Sequence, residues 1–212
     1  MLAERVDACH RSSNTSLDLS SLALEDWPTD TVNKFITLKT LRISKNKLTS
    51  APSLSRFQTL QTLDLSRNRL ISMNLIRISK QLIFLDISHN KLSEFNLPDA
   101  GINLCFFFYV YAVHGPDSYS EGMPALETLI MSRNLFSTLP DSLHCLQRLK
   151  KLDISHNLIT SLNNSLESLV NLEELNMDGN PLDPEAPLPP RASLLIEKVE
   201  ISQAWTLYTL VF

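Results

Sequence analysis

A leucine pattern that returns at a constant period constrains this chain more than any other feature. The string L-x-x-L-x-L-x-x-N-x-L begins at Leu38 (LKTLRISKNKL), Leu60 (LQTLDLSRNRL), Leu82 (LIFLDISHNKL), Leu126 (LETLIMSRNLF), Leu149 (LKKLDISHNLI) and Leu172 (LEELNMDGNPL). The starts lie 22, 22, 44, 23 and 23 residues apart. A degenerate copy with Leu17, Leu19 and Leu24 comes first, and Leu22 stands where the others have Asn. Self-similarity at such a period marks stacked units, none of which buries its apolar face alone.

The chemistry of one unit follows from its spacing. Alternating apolar residues such as Leu63 and Leu65 make a short strand with one face inward and the intervening polar residues outward. Successive strands then stack as a parallel ladder at about 4.8 Å. The ninth-position Asn (Asn46, Asn68, Asn90, Asn134, Asn157, Asn180) sits where the chain leaves the ladder and turns inward. Its amide carries two donors and an acceptor, so it can satisfy backbone groups that the turn buries. Loss of one such Asn is expected to cost roughly 1–3 kcal/mol in unsatisfied groups.

These motifs resemble the leucine-rich repeat family, over about residues 15–185. The early copies, with Ala51, Leu54 and Phe57 after the motif, are similar to the repeats of the nuclear protein-phosphatase regulatory subunit. The later ones, with Leu139-Pro140 and with Leu162, Leu166 and Leu169, are similar to those of intracellular Ras-group and Ras-suppressor proteins. The resemblance implies an α/β fold, a right-handed horseshoe solenoid with parallel strands on its concave face, which binds proteins there. About eight coils are expected.

Two regions depart from the pattern. The 44-residue gap is two periods, and Leu104, Phe107, Tyr109 and Ala112 fall in register, but His114, Asp117 and Ser120 fall where apolar residues belong. Residues 104–123 are therefore either a degenerate repeat or an inserted segment; as a repeat they would present Phe108 and Tyr111 on the binding face. The stack also needs ends, because a terminal coil would leave one side of its core in water. Residues 1–34, with Trp27 and the Leu17, Leu22 and Leu24 set, are expected to cap the front, 35–185 to form the repeats, and 186–212 to be a C-terminal cap or tail after the proline-rich stop at Pro181–Pro190.

Composition excludes several classes. The 4 glycines never form a phosphate-cradling loop. The 5 histidines have no neighbouring nucleophile motif, and the 3 cysteines are widely spaced without metal-ligand spacing. His89 and His156 share one repeat position but are expected three coils apart, about 14 Å, too far to ligate one metal. No cofactor, small-molecule substrate or catalytic residue is expected. The first fourteen residues lack the apolar stretch of a secretory signal, and the longest apolar run, Leu104–Val113, is half of what a membrane-spanning helix requires. A reducing compartment, the cytoplasm or the nucleus, fits the cysteine usage.

The charge distribution carries the functional information. A net charge of −4 hides 11 Lys/Arg against 2 Asp/Glu over residues 31–93, with 8 against 21 in the rest. The outward fifth, eighth and tenth positions supply a basic first half and a more apolar second half. The candidate partner-binding residues are Arg42, Lys45, Lys47, Arg67, Arg69, His89, Lys91, Phe108, Tyr111 and Arg133. Such a surface attracts an acidic or phosphorylated protein, and the family resemblance implies a phosphatase catalytic subunit or a small-GTPase pathway component. The opposing expectation is a merely solubilising face, with Asp64 paired to Arg67 or Arg42. The acidic remainder disfavours nucleic acid. The chain is thus expected to be a non-enzymatic adaptor or regulatory subunit in intracellular signalling; the alternative is a targeting or substrate-recognition module of a larger enzyme, a ligase, a kinase or a phosphatase complex.

Overall fold

The structure is a computed structural model that describes residues 2–11, 13–51, 54–73, 79–94, 123–162 and 164–185. Each repeat contributes one three-residue strand at its third to fifth positions: β1 (Ser16–Asp18), β2 (Thr40–Arg42), β3 (Thr62–Asp64), β4 (Phe84–Asp86), β5 (Thr128–Ile130), β6 (Lys151–Asp153) and β7 (Glu174–Asn176). They form one parallel sheet in chain order, an α/β leucine-rich-repeat type of solenoid. The central leucine of every strand is buried, and the Leu17, Leu41, Leu63, Leu85, Leu129, Leu152 and Leu175 positions align in register.

The ladder departs from the expected coil count in one place. β4 pairs directly with β5, Leu85 opposite Leu129, and the Ile87 amide donates to the Ile130 carbonyl at 2.9 Å. The two periods of sequence between Leu82 and Leu126 therefore make one step of the sheet. β4 and β5 are adjacent strands, so among the described residues the ladder has seven strands where eight coils were expected, about 29 Å from end to end at the parallel spacing. Phe108 and Tyr111 lie outside the described residues, as do 186–212.

The interior is built from the repeated leucines and the residues that follow them. Leu60, Leu63, Leu65 and Leu70 in one coil, and Leu149, Leu152, Ile154 and Ile159 in another, have no exposed surface. At about 1.5–3 kcal/mol per fully buried aliphatic side chain, these positions dominate the stability. Leu54, Phe57, Leu139, Leu166 and Leu169 close the core from the side opposite the strands. In the two later copies that side is turned by 3-10 helices at Asp141–Cys145 and Asn164–Ser168.

At the front, α1 (Leu2–Arg11) packs against β1, with Cys9 in the core and Leu2 and Val6 partly buried against it. The apolar side chains recur at i, i+4 and i+7, the period of one helical face. Trp27, Leu22 and Leu24 are also partly buried against the core, just before α2 (Thr29–Val32).

Candidate protein-binding face

Three sets of backbone-directed contacts shape the turn that follows each strand. The first is the asparagine ladder. Asn68 donates from Nδ2 to the Leu65 carbonyl of its own coil and to the Ile43 carbonyl of the coil before, both at 3.0 Å, and its Oδ1 accepts the Leu48 amide at 3.2 Å. Asn46, Asn90, Asn134, Asn157 and Asn180 repeat the arrangement. Asn134 reaches back to Ile87 at 3.0 Å, so the ladder is unbroken where β5 follows β4. One side chain thereby holds both its own turn and the neighbouring coil.

The second set is at the fifth position. Asp18, Asp64, Asp86 and Asp153 each accept the amide of the residue two further on, Ser20, Ser66, Ser88 and Ser155, at 2.9–3.0 Å. Asn176 does the same for Asp178. These carboxylates are side-chain turns rather than a catalytic pair. The expected pairing of Asp64 with Arg67 or Arg42 is absent: among the described residues Asp64 takes hydrogen bonds from the Ser66 amide and hydroxyl and belongs to none of the ion pairs. A short acceptor two residues from a free amide has less chain to order than an arginine three residues or one coil away. Burial raises the Asp86 carboxyl above its ordinary value, partly offset by its Ser88 hydrogen bonds and reinforced by neighbouring Asp64.

The third set is the backbone itself. Every eighth position is left-handed: Ser21, Lys45, Arg67, His89, Arg133 and His156 have φ between 52° and 61°, and Gly179 has 67°. Their amides donate to the seventh-position carbonyl of the next coil, Lys45 to Ser66, Arg67 to Ser88, His89 to Ser132 and Arg133 to Ser155, at 2.9–3.0 Å. This rung continues the ladder beyond the strands. Side chains at the eighth position therefore stand one rung apart, about 4.8 Å.

Two columns run along the C-terminal edge of the sheet. The eighth position carries Lys45, Arg67, His89, Arg133 and His156 on five successive rungs. Lys45, Arg67, Arg133 and His156 are exposed, and His89 is half-buried between Arg67 and Arg133. Burial lowers the pKa of His89, and the charges of Arg67 and then Arg133 lower it further. The tenth position carries Lys47, Arg69, Lys91, Leu135 and Leu158. Leu135 and Leu158 are 47% and 51% exposed.

The direct β4–β5 step brings Arg133 next to His89 and puts His156 two rungs from His89, about 10 Å rather than 14. Among the described residues no three His, Cys, Asp or Glu side chains gather as a metal site. Among the described residues Cys9 and Cys145 are not joined in a disulfide.

Of the residues singled out from the sequence, Lys45, Arg67, His89 and Arg133 share the eighth-position column and Arg69 and Lys91 the tenth. Lys47 also lies in that column, but its ammonium is held by Glu25 at 2.9 Å. Arg42 stands apart, exposed on β2 between Asp18 and Asp64 in the register. His156, Leu135 and Leu158 complete the columns and were not among the candidates, although their repeat positions are the same. The edge is basic; the strand face beside it carries the acidic fifth position.

Comparison with known proteins agrees with this architecture. The leucine rich repeat model matches residues 113–159, a two-copy leucine rich repeats model 147–190, and a single leucine rich repeat model 59–79. This chain is a leucine-rich repeat protein. No curated protein sequence matches it. Among solved structures, an internalin from Listeria monocytogenes is 21% identical with a TM-score of 0.61, covering 85% of this chain and 45% of that one. YopM from Yersinia enterocolitica is 23% identical with a TM-score of 0.57, over 83% and 31%. TLR13, solved in complex with ssRNA13, is 27% identical with a TM-score of 0.61, over 79% and 22%. The chain spans less than half the length of each. Leucine-rich repeat domains generally mediate protein–protein interaction, and no helix among the described residues of this leucine-rich repeat protein is long and apolar enough to cross a membrane.

Proposed function

We propose that this leucine-rich repeat protein is a non-enzymatic interaction module that acts as an intracellular adaptor or regulatory subunit, its partner an acidic or phosphorylated protein. The observation that carries the reading is the eighth-position column: exposed Lys45 and Arg67 on adjacent rungs and exposed Arg133 two rungs further on, none of them in an ion pair among the described residues. A fixed row of unneutralised charge raises the local potential and speeds encounter with a partner of opposite sign, in a salt-dependent way. A phosphatase catalytic subunit or a small-GTPase pathway component is the class of partner that the early and late repeat forms suggest.

The test is a comparison of wild type with Lys45→Glu/Arg67→Glu/Arg69→Glu, which changes three exposed side chains and no buried one. Affinity capture followed by mass spectrometry should lose the principal partner, while thermal unfolding changes by no more than a few degrees. Capture that survives the triple substitution would overturn the reading. TLR13 was solved with an RNA, so the capture is repeated after ribonuclease treatment. A protein partner is retained and an RNA-bridged one is lost.

A further inference from the structure

We infer that the two edge columns form one site for an extended, mixed segment of a partner protein: an acidic stretch over β2–β4 adjoining two bulky apolar residues over β5–β6. This deepens the function proposed above and rests on it.

The composition of the columns changes at a single rung. Over β2–β4 the eighth and tenth positions present Lys45, Arg67, His89, Arg69 and Lys91, together with Lys47, which Glu25 already neutralises. Over β5–β6 the eighth position stays basic with Arg133 and His156, and the tenth becomes Leu135 and Leu158, each about half exposed. The change falls between β4 and β5, which are hydrogen-bonded neighbours. The Leu135 amide donates to the Leu92 carbonyl at 2.8 Å, just as the Lys91 amide donates to Leu70, so the apolar part continues the basic part without a gap. Five rungs span about 19 Å, the length of roughly six residues of extended chain.

The arrangement favours a run of carboxylates over a single phosphate. One phosphate is held by cations that converge on a point, whereas these stand in a line, one per rung. It also favours a protein over a nucleic acid. Leu135 and Leu158 offer nothing to a phosphate backbone, but they match aliphatic or aromatic side chains that leave water on docking.

Backbone conformation gives independent support. The eighth position is left-handed in every coil, where glycine is unstrained, and Gly179 occupies it in the last one. The five preceding coils hold Lys, Arg or His there instead. Non-glycine residues in such conformations gather at functional sites, and here three of the five, Lys45, Arg67 and Arg133, carry a positive charge, whereas the first coil has Ser21.

The experiment is fluorescence anisotropy with labelled synthetic peptides: four acidic residues followed by a leucine pair, the acidic run alone, the leucine pair alone, and a peptide with a single phosphoserine. The mixed peptide should bind at least ten-fold more tightly than any of the others. Leu135→Ser/Leu158→Ser should remove that advantage and leave the affinity for the acidic run unchanged, while Arg67→Glu/Arg133→Glu weakens both ten-fold or more.

Equal binding of the mixed and acidic peptides would overturn the inference in favour of an unselective polyanion surface. Preference for the phosphoserine peptide would overturn it in favour of a phosphate site. Absence of peptide binding, with partner capture still abolished by Lys45→Glu/Arg67→Glu/Arg69→Glu, would overturn the mixed site and leave the broader function standing. Capture insensitive to that triple substitution would remove the broader function itself.

Discussion

The coils of β2–β4 and those of β5–β7 have the same interior and different edges. Both halves bury leucines at the first and fourth positions and Ile, Leu or Met at the sixth, tie their turns with an inward asparagine, and hold the eighth residue at positive φ. Outside, the first half presents Lys and Arg at the tenth position and the second half presents Leu135, Leu158 and Pro181. The difference teaches where each kind of constraint acts. The ladder hydrogen bonds and the close-packed core leave the interior no freedom, whereas an exposed column is free to take up whatever chemistry a partner requires.

If the interiors are equivalent, equivalent substitutions should cost the same in both halves. The largest effect is expected in the core. Leu85→Ala in β4 and Leu152→Ala in β6 remove side chains with no exposed surface, and each should destabilise by about 2–5 kcal/mol in urea unfolding. A loss in only one of them would mean that the halves do not share one cooperative core.

Next in size are the asparagines. Asn68→Ala, Asn134→Ala and Asn157→Ala each leave carbonyls of two coils and an amide without their partner, for about 1–3 kcal/mol apiece. Asn134 is the informative one, because its loss should cost as much across the β4–β5 step as the others do within a half.

A smaller effect is expected at the left-handed position, and its sign should reverse between the coil that has glycine there and the coils that have arginine. Gly179→Ala places a methyl group 2.5 Å from His156 Nδ1 at a φ of +67° and should destabilise by about 1–2 kcal/mol. Arg67→Gly and Arg133→Gly relieve that conformation, offset by the greater freedom of unfolded glycine. The melting temperature should therefore hold or rise slightly while binding to the acidic probe falls. A lower melting temperature in both arginine variants would show that these residues are kept for stability and not for recognition.

The smallest change concerns Asp86. Its carboxyl titrates above the ordinary value because it is buried, so the folded state takes up a proton before the unfolded chain does as the pH falls. The ionised group therefore opposes folding above its folded pKa, and the opposition fades as the pH drops to the unfolded value. Asp86→Asn keeps an acceptor for the Ser88 amide, as Asn176 does for Asp178. It should raise the melting temperature slightly at pH 7 and not at all below the ordinary aspartate range.

Much of this was legible in the sequence, and for a definite reason. The strands, the buried leucines and the asparagine turns are set by side-chain periodicity, so Leu63, Leu65 and Asn68 announce their roles. The features that were not legible depend on geometry that spacing alone does not encode. Forty-four residues are two periods, and Leu104, Phe107 and Tyr109 fall in register, yet β4 pairs with β5 because matching strands bond wherever the chain lets them meet. The left-handed turn had one faint signal, Gly179 at the position where other coils have Lys, Arg or His. The Lys47–Glu25 pair had another, opposite charges 22 residues apart, one coil of the ladder. The face of α1 is encoded in the spacing of Leu2, Val6 and Cys9, three residues that lie outside the leucine repeat.

The continuity of both columns depends on β4 and β5 being adjacent rungs. Phe84 and Thr128 are paired across that step, and α-carbons on neighbouring parallel strands lie within the roughly 4.4–6.8 Å that a disulfide spans. Phe84→Cys/Thr128→Cys, oxidised and digested, should yield the cross-linked peptide pair in high proportion by mass spectrometry. Two accessible, unlinked thiols at these positions would mean that a coil separates the strands, and would break the account of a single basic-to-apolar edge.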